Sequence, residues 1–243
     1  MSTEQAASPF EFGTEATVEV HAPHHPILSL KEFLVHLLAI TIGLLIAVGI
    51  EGGVELYREH NLVKEARRTL REEIQYNSDK MAGALPEIEK ERASVADSIK
   101  FLTRIVEHPK DKAAQSGSIG ANFAMVGLHD TAWKTAQATN ALSYMPYAEA
   151  LHYSDIYGSQ KDFTAQEDKL VEDEAQLLGV IAKTDFGHGD ITPEQASLAL
   201  ERYGVWRGHL VFLDLMAKVT AASDKAFLEG KEAPTSMEEK LSD

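Results

Sequence analysis

Cysteine is absent from the 243 residues. That excludes disulfides, thiolate metal sites and a cysteine nucleophile. It leaves the compartment open, because a periplasmic domain can do without disulfides. Basic residues are scarce as well: 23 Lys and Arg stand against 38 Asp and Glu, a net charge of −15. A chain that grips phosphate backbones shows the opposite balance, which argues against nucleic acid as a partner. No G-x-S-x-G, H-E-x-x-H or phosphate-binding loop occurs. The letters Asp185-Phe186-Gly187 match a kinase motif, but no glycine-rich loop or H-R-D catalytic loop accompanies them. No run alternates convincingly enough to read as a strand, and no internal repeat is evident.

What is present begins with one long apolar run, FLVHLLAITIGLLIAVGI, from Phe33 to Ile50. Only His36 and Thr41 interrupt it. As a helix it reaches about 27 Å, close to the hydrocarbon thickness of a bilayer. A buried core helix of this length carries a polar face, and this run has none. A cleaved signal peptide wants a short basic leader, whereas the preceding segment is long and acidic. The run is therefore read as an uncleaved membrane anchor. His36, Ala39, Gly43, Ala47 and Glu51 follow at spacings of three and four, along one face. Gly43 and Ala47 form a small-xxx-small pair that lets helix backbones approach in lipid. That face is expected to pack on a second copy or on a membrane partner subunit.

The bases Arg58, Lys64, Arg67, Arg68 and Arg71 follow the run, and only Lys31 lies close before it. Loop charge thus places the C-terminal region in the cytoplasm. The first 27 residues read as a flexible tail with no helical period. Within them His21 to Pro26, HAPHHP, is at most a loose metal-binding tract.

Beyond the anchor, Leu62, Ala66, Leu70, Ile74, Asn77, Met81, Leu85 and Ile88 fall three or four apart. Val95, Ile99, Leu102 and Val106 continue the stripe, with Arg92 in one slot. This predicts one long helix from the membrane to about residue 107, bent near Gly83 to Pro86. Residues 108–120 read as a linker. A shorter helix is expected from Thr131, capped by Asp130, to about Tyr144. Pro146 opens the next, which carries Ile156, Phe163, Leu170 and Leu177 at heptad spacing. After a turn at Asp185 to Asp190, Thr192-Pro193-Glu194-Gln195 has the form of a capping box with proline at the first helical position. The last helix carries Leu198, Tyr203, Trp206, Leu210, Leu213, Ala217 and Phe227.

The expected fold is all-α: a transmembrane helix continuing into a long antiparallel helical bundle or coiled-coil soluble region. The expected division is a tail over 1–27, the anchor over 28–55, the bundle over 56–230 and a charged tail over 231–243. Two sets of residues are candidates for function. Trp133, Tyr144, Tyr147, Tyr153 and Tyr157 concentrate polar-tipped rings suited to a ligand pocket, an interface or a core. Glu149 and His152 form an E-x-x-H pair of the kind that di-iron bundles use twice, but only one pair is present, and His129 and His209 lack the matching glutamate.

Two stretches, ITIGLLIAVGIEGGVELYREHNLVKEARRTLREEIQYN from Ile40 and TAWKTAQATNALSYMPYAEALHYSDIY from Thr131, resemble a set of bacterial single-pass membrane proteins with a domain of unknown function. The resemblance covers about a quarter of the chain. It implies an inner-membrane anchor with a helical region, and it supplies no catalytic residues. Relatives often have a basic N-terminal flank, which implies an outward-facing soluble region; this chain has an acidic one.

The expected role is a non-enzymatic interaction, scaffold or sensor-like subunit with no cofactor, in contact with the lipid bilayer and with a second copy or a partner subunit. The alternative is a metal-dependent enzyme or metal-binding bundle on Glu149 and His152. If the small-residue face packs in lipid, Gly43→Leu should lower self-association or partner recovery several-fold in a detergent crosslinking assay. Unchanged recovery of both would remove that face from consideration.

Overall fold

The computed structural model describes residues 29–120, 124–186 and 189–231. Among the described residues the chain is helical and has no strand. The helices are α1 (Leu30–Glu107), α2 (Thr131–Ala138), α3 (Tyr147–Lys183) and α4 (Pro193–Leu228), with short 3-10 turns at Lys112–Gln115 and Ala141–Tyr144. The chain divides into two compact units, Met1–Val54 and Glu55–Asp243. The histidine tract at His21 to Pro26 lies outside the described residues.

In the first unit, the apolar run is helical and every described side chain is exposed. By length and composition this helix is apolar enough to cross a membrane. Its two polar side chains are satisfied within the helix. Thr41 Oγ1 donates to the Leu37 carbonyl at 2.8 Å, and His36 Nδ1 lies 3.0 Å from the Glu32 carbonyl. Such back-bonding occupies the hydroxyl and one imidazole nitrogen within the helix itself.

The second unit is built on seams of period seven. On α1, Val63, Leu70, Asn77, Ala84, Ser98 and Ile105 form one buried series, and Ile74, Met81, Ile88, Val95 and Leu102 the other. On α3 the heptad Ile156, Phe163, Leu170 and Leu177 is fully buried, as the spacing predicts. On α4, Ala196, Tyr203, Leu210, Ala217 and Asp224 run beside Ala199, Trp206, Leu213 and Thr220. A period of seven keeps one stripe facing its neighbours over many turns. Hydrogen bonds between α3 and α4 join Gln160 to Asp224 and Gln176 to Arg202, and the Gln195 amide of α4 donates to the Thr184 carbonyl just past α3.

The described residues of the segment between α1 and α2 are held by side chains at several points. Asp111 caps the first 3-10 turn, and the Gln115 amide pairs with both the N–H and the carbonyl of Ile191. Gly120 accepts from the Tyr203 hydroxyl at 2.6 Å and donates to Ser98 Oγ at 2.9 Å. Gly117 is needed for this close approach, because a Cβ there would run into the Phe101 ring; one at Gly120 would meet only the rotatable Ser94 hydroxyl.

Several expectations change. Val106 is exposed and Ile105 buried, because Ser98, not Ile99, holds the slot seven residues earlier. Leu198 is exposed, and the small side chains Ala196 and Ala199 occupy the seam instead. The helix after Thr131 stops at Ala138, where Asn140 adopts a left-handed conformation (φ 59°) that asparagine tolerates better than most residues. Asp130 makes no capping bond to α2; it pairs with Lys134 at 2.7 Å. The capping box of α4 forms as its sequence predicts, with both reciprocal bonds between Thr192 and Gln195.

The helix α1 continues through Pro86, whose ring is exposed. A proline inside a helix forfeits one backbone hydrogen bond and crowds the preceding turn, at a cost near 3 kcal/mol. Pro86→Ala should therefore raise stability by about 1–3 kcal/mol in thermal or denaturant unfolding. A decrease would show that Pro86 relieves a strain elsewhere in α1.

Candidate functional site

The apolar interior of the second unit falls into two clusters. One gathers Val63 to Ile74 of α1 with α2 and the start of α3; the other gathers Met81 to Ile105 of α1 with the remainder of α3 and α4. Between them lies a layer of buried polar side chains. Asn77 Nδ2 donates to Gln160 Oε1 at 2.8 Å, and Gln160 Nε2 donates to Asp224 Oδ1 at 3.0 Å. Asn77 also pairs with the backbone of His129 in both directions, accepting from its N–H at 2.8 Å and donating to its carbonyl at 2.7 Å. One asparagine amide thus completes the hydrogen bonding of a loop residue while joining α1 to α3.

One turn earlier on α1, Glu73 caps α2. Its carboxylate accepts from Ala132 N–H at 2.9 Å and Trp133 N–H at 3.4 Å. These are unsatisfied donors at a helix N-terminus, where a negative charge is also favoured by the helix dipole. The same carboxylate accepts from the Tyr157 hydroxyl at 2.8 Å. Trp133 then stacks on the Tyr157 ring, with centroids 5.1 Å apart and planes 14° from parallel. Burial and the bond to Glu73 push the Tyr157 hydroxyl far above its ordinary pKa, so it stays protonated and donates.

The stacked pair forms part of the wall of an open cleft of about 600 Å³ between α2 and α3, with His129, Gln160, Lys134 and Lys161 also lining it. His129 stacks in turn on Tyr76, centroids 4.4 Å apart. The cleft offers an aromatic wall, the amides of Gln137 and Gln160, the Lys161 ammonium, the Lys134–Asp130 ion pair and the Asp168 carboxylate. That set suits recognition of a planar, polar group and contains no nucleophile paired with a base.

Of the five candidate aromatic residues, the fold brings Trp133 and Tyr157 together at this cleft. Tyr153 is buried against Phe227, 5.3 Å between centroids. Tyr144 and Tyr147 point away from the core and are exposed. Glu149 holds Arg67 in a two-point ion pair of 2.6 and 2.7 Å, which engages both carboxylate oxygens. His152 meets Phe227 edge-on, and its Nε2 is buried without a hydrogen-bond partner. Among the described residues no group of three or more His, Asp or Glu side chains converges as metal ligands would. His36, Ala39, Gly43, Ala47 and Glu51 lie in the first unit, exposed along the apolar helix.

Sequence reasoning missed Glu73, Gln160, Glu167 and Asp224. It did record Asn77 in the buried stripe, and a polar residue in a seam slot is the signal that would have found Gln160, Glu167 and Asp224; Glu73 lies beside the seam and gives no such signal. Glu167 accepts from Val126 N–H at 2.6 Å through one oxygen, while the other is buried without a partner. Burial pushes its carboxyl above the usual carboxylate range. No protein-family model, curated protein or solved structure matches the chain.

Asp224 is fully buried and its Oδ2 has no hydrogen-bond partner. Burial pushes its carboxyl up from 3.8 to about 7, with the bond from Gln160 acting in the opposite direction. Between these values the folded chain keeps a proton that the unfolded chain releases. Stability from this group is therefore full below about pH 4, falls as pH rises, and levels off above about 7. The loss amounts to roughly 4 kcal/mol. Asp224→Asn should flatten this part of the pH dependence, measured by denaturant unfolding from pH 4.5 to 8. A variant with the same slope as the parent would show that the proton resides elsewhere.

Proposed function

We propose that the chain is a membrane-anchored helical module that acts by binding rather than by catalysis: an interaction, scaffold or sensor-like subunit. In this reading the apolar segment of α1 spans the bacterial inner membrane, and the second unit is an antiparallel bundle whose recognition site is the cleft between α2 and α3. The observation that carries it is the Trp133–Tyr157 wall and its attachment to Glu73. An occupant pressing on Trp133 displaces α2, and α2 is fastened through its first N–H groups to Glu73 of α1. The helix that receives this displacement is also the one that carries the apolar run. A sensor or a scaffold with a regulated grip needs such a two-ended element. Of the carboxylates near these rings, Glu149 is engaged by Arg67, and Glu73 by α2 and Tyr157.

The small-residue face of the apolar helix supports assembly with a second copy or a membrane partner subunit. The likeness to single-pass membrane proteins noted in the sequence agrees with this reading and adds no activity to it.

Native mass spectrometry of the full chain, extracted from its own membranes in mild detergent, tests the proposal. The expected result is a homo-oligomer or a complex with a second species. Trp133→Ala should lower the fraction of any species bound at the cleft several-fold without changing the helical content. A lone monomer with nothing bound, unchanged by the substitution, would overturn the binding role.

A further inference from the structure

The turn that joins α2 to α3 places its aromatic rings on the outside. Tyr147 is 83% exposed and Tyr144 45%, and Leu151, one turn along α3 from Tyr147, is 47% exposed. These side chains lie at a defined end of the second unit. Tyr144 lines a groove with Glu55, Arg58, Glu59 and Leu62, the opening turns of α1 in this unit. Just above, the Glu149–Arg67 ion pair ties the first turn of α3 to α1. Glu55 follows Ile50, the end of the apolar run, by five residues in sequence. Leu56 and Tyr57, in the same stretch, are each 69% exposed.

We propose that the Tyr144–Tyr147 turn docks on the lipid surface from which the apolar segment emerges. This rests on the reading of that segment as a membrane span. Tyrosine has an apolar ring and a hydroxyl tip, and it is enriched at the headgroup level for that reason. A turn with two exposed tyrosines and a neighbouring leucine meets water poorly and meets the headgroup boundary well.

The local charge decides what kind of lipid surface fits. Glu51, Glu55 and Glu59 bring negative charge to this end of the chain. Arg67 is held by Glu149, and Arg68 by Glu65 and Glu72. Arg58 and Lys64 remain, and the three glutamates outnumber them, so no net positive charge attracts anionic headgroups and the contact is made by rings and not by charge. The surface that fits is zwitterionic, and the contact is insensitive to salt.

The absence of cysteine makes the test direct, because any introduced thiol is unique. The full chain is reconstituted in phosphatidylcholine vesicles carrying an environment-sensitive fluorophore at Ala148→Cys, Leu44→Cys or Lys90→Cys in separate preparations. Quenching by lipids spin-labelled near the headgroup or deep in the acyl chain is then measured. The expected result is deep quenching at position 44 and shallow quenching at 148 at least two-fold stronger than at 90. Adding Tyr144→Ser and Tyr147→Ser to the Ala148→Cys protein should bring its signal down to that at 90. Quenching at 44 with equal signals at 148 and 90 would overturn the docking contact and leave the membrane span standing. No quenching at 44 would overturn both. Quenching at 148 that requires phosphatidylserine and disappears in high salt would overturn the ring-based contact.

Discussion

The structure depends on one buried polar layer. Asn77, Gln160 and Asp224 occupy seam slots of three different helices and meet only when those helices are in one register. Shifting α3 by one heptad would place Glu167 or Tyr153 where Gln160 stands, and neither carries the amide that bridges Asn77 and Asp224. An unpaired buried polar group costs roughly 1–3 kcal/mol, so the layer penalises each wrong alignment. The apolar seams above and below do not discriminate in this way, because one leucine layer resembles the next. A polar residue in a hydrophobic seam trades stability for register, and Asp224 makes the trade visible. Its second oxygen is unsatisfied and its proton is retained to about pH 7.

The same layer organises the candidate site. Asn77 fixes His129 at the entrance to α2, and Glu73 fixes the first turn of α2 itself. Trp133 is thereby held parallel to Tyr157, and the cleft acquires a rigid aromatic wall. A helix of only eight residues is too short to be stable by propensity, so its position is inherited from α1 and α3. The cleft is therefore a product of tertiary contacts, and any occupant acts on the same side chains that set the register of the helices.

The length of α1, the heptad of α3 and the capping box of α4 were legible because each is a local pattern. Period-seven burial, a Thr-Pro-Glu-Gln start and an uninterrupted apolar run need no distant partner to be recognised. The errors fell where local and distant partners compete. Asp130 has the chemistry of an N-cap, yet Glu73 from another helix takes that position. Val106 looks like a seam residue, yet Ile105 is buried in its place, on the phase that Ser98 holds one heptad earlier, where the Ser98 hydroxyl bonds to Ser94 and Gly120. Leu198 is larger than Ala196 and Ala199 and still lies outside, because burial follows the phase of the helix and not the size of the side chain.

By itself, the sequence determined the helical class, the apolar segment and most of the seam residues, since periodicity and hydropathy are properties of neighbouring residues. The pairing of the polar groups was decided only in three dimensions. Glu149 and His152 share a helix face three residues apart, but Arg67 claims the first and Phe227 the second. Tyr144, Tyr147, Tyr153 and Tyr157 are alike in sequence, but two face outward and two are buried. A hydrogen bond or an ion pair is satisfied by whichever partner the fold brings within 3 Å or so, and proximity of that kind has no signature along the chain.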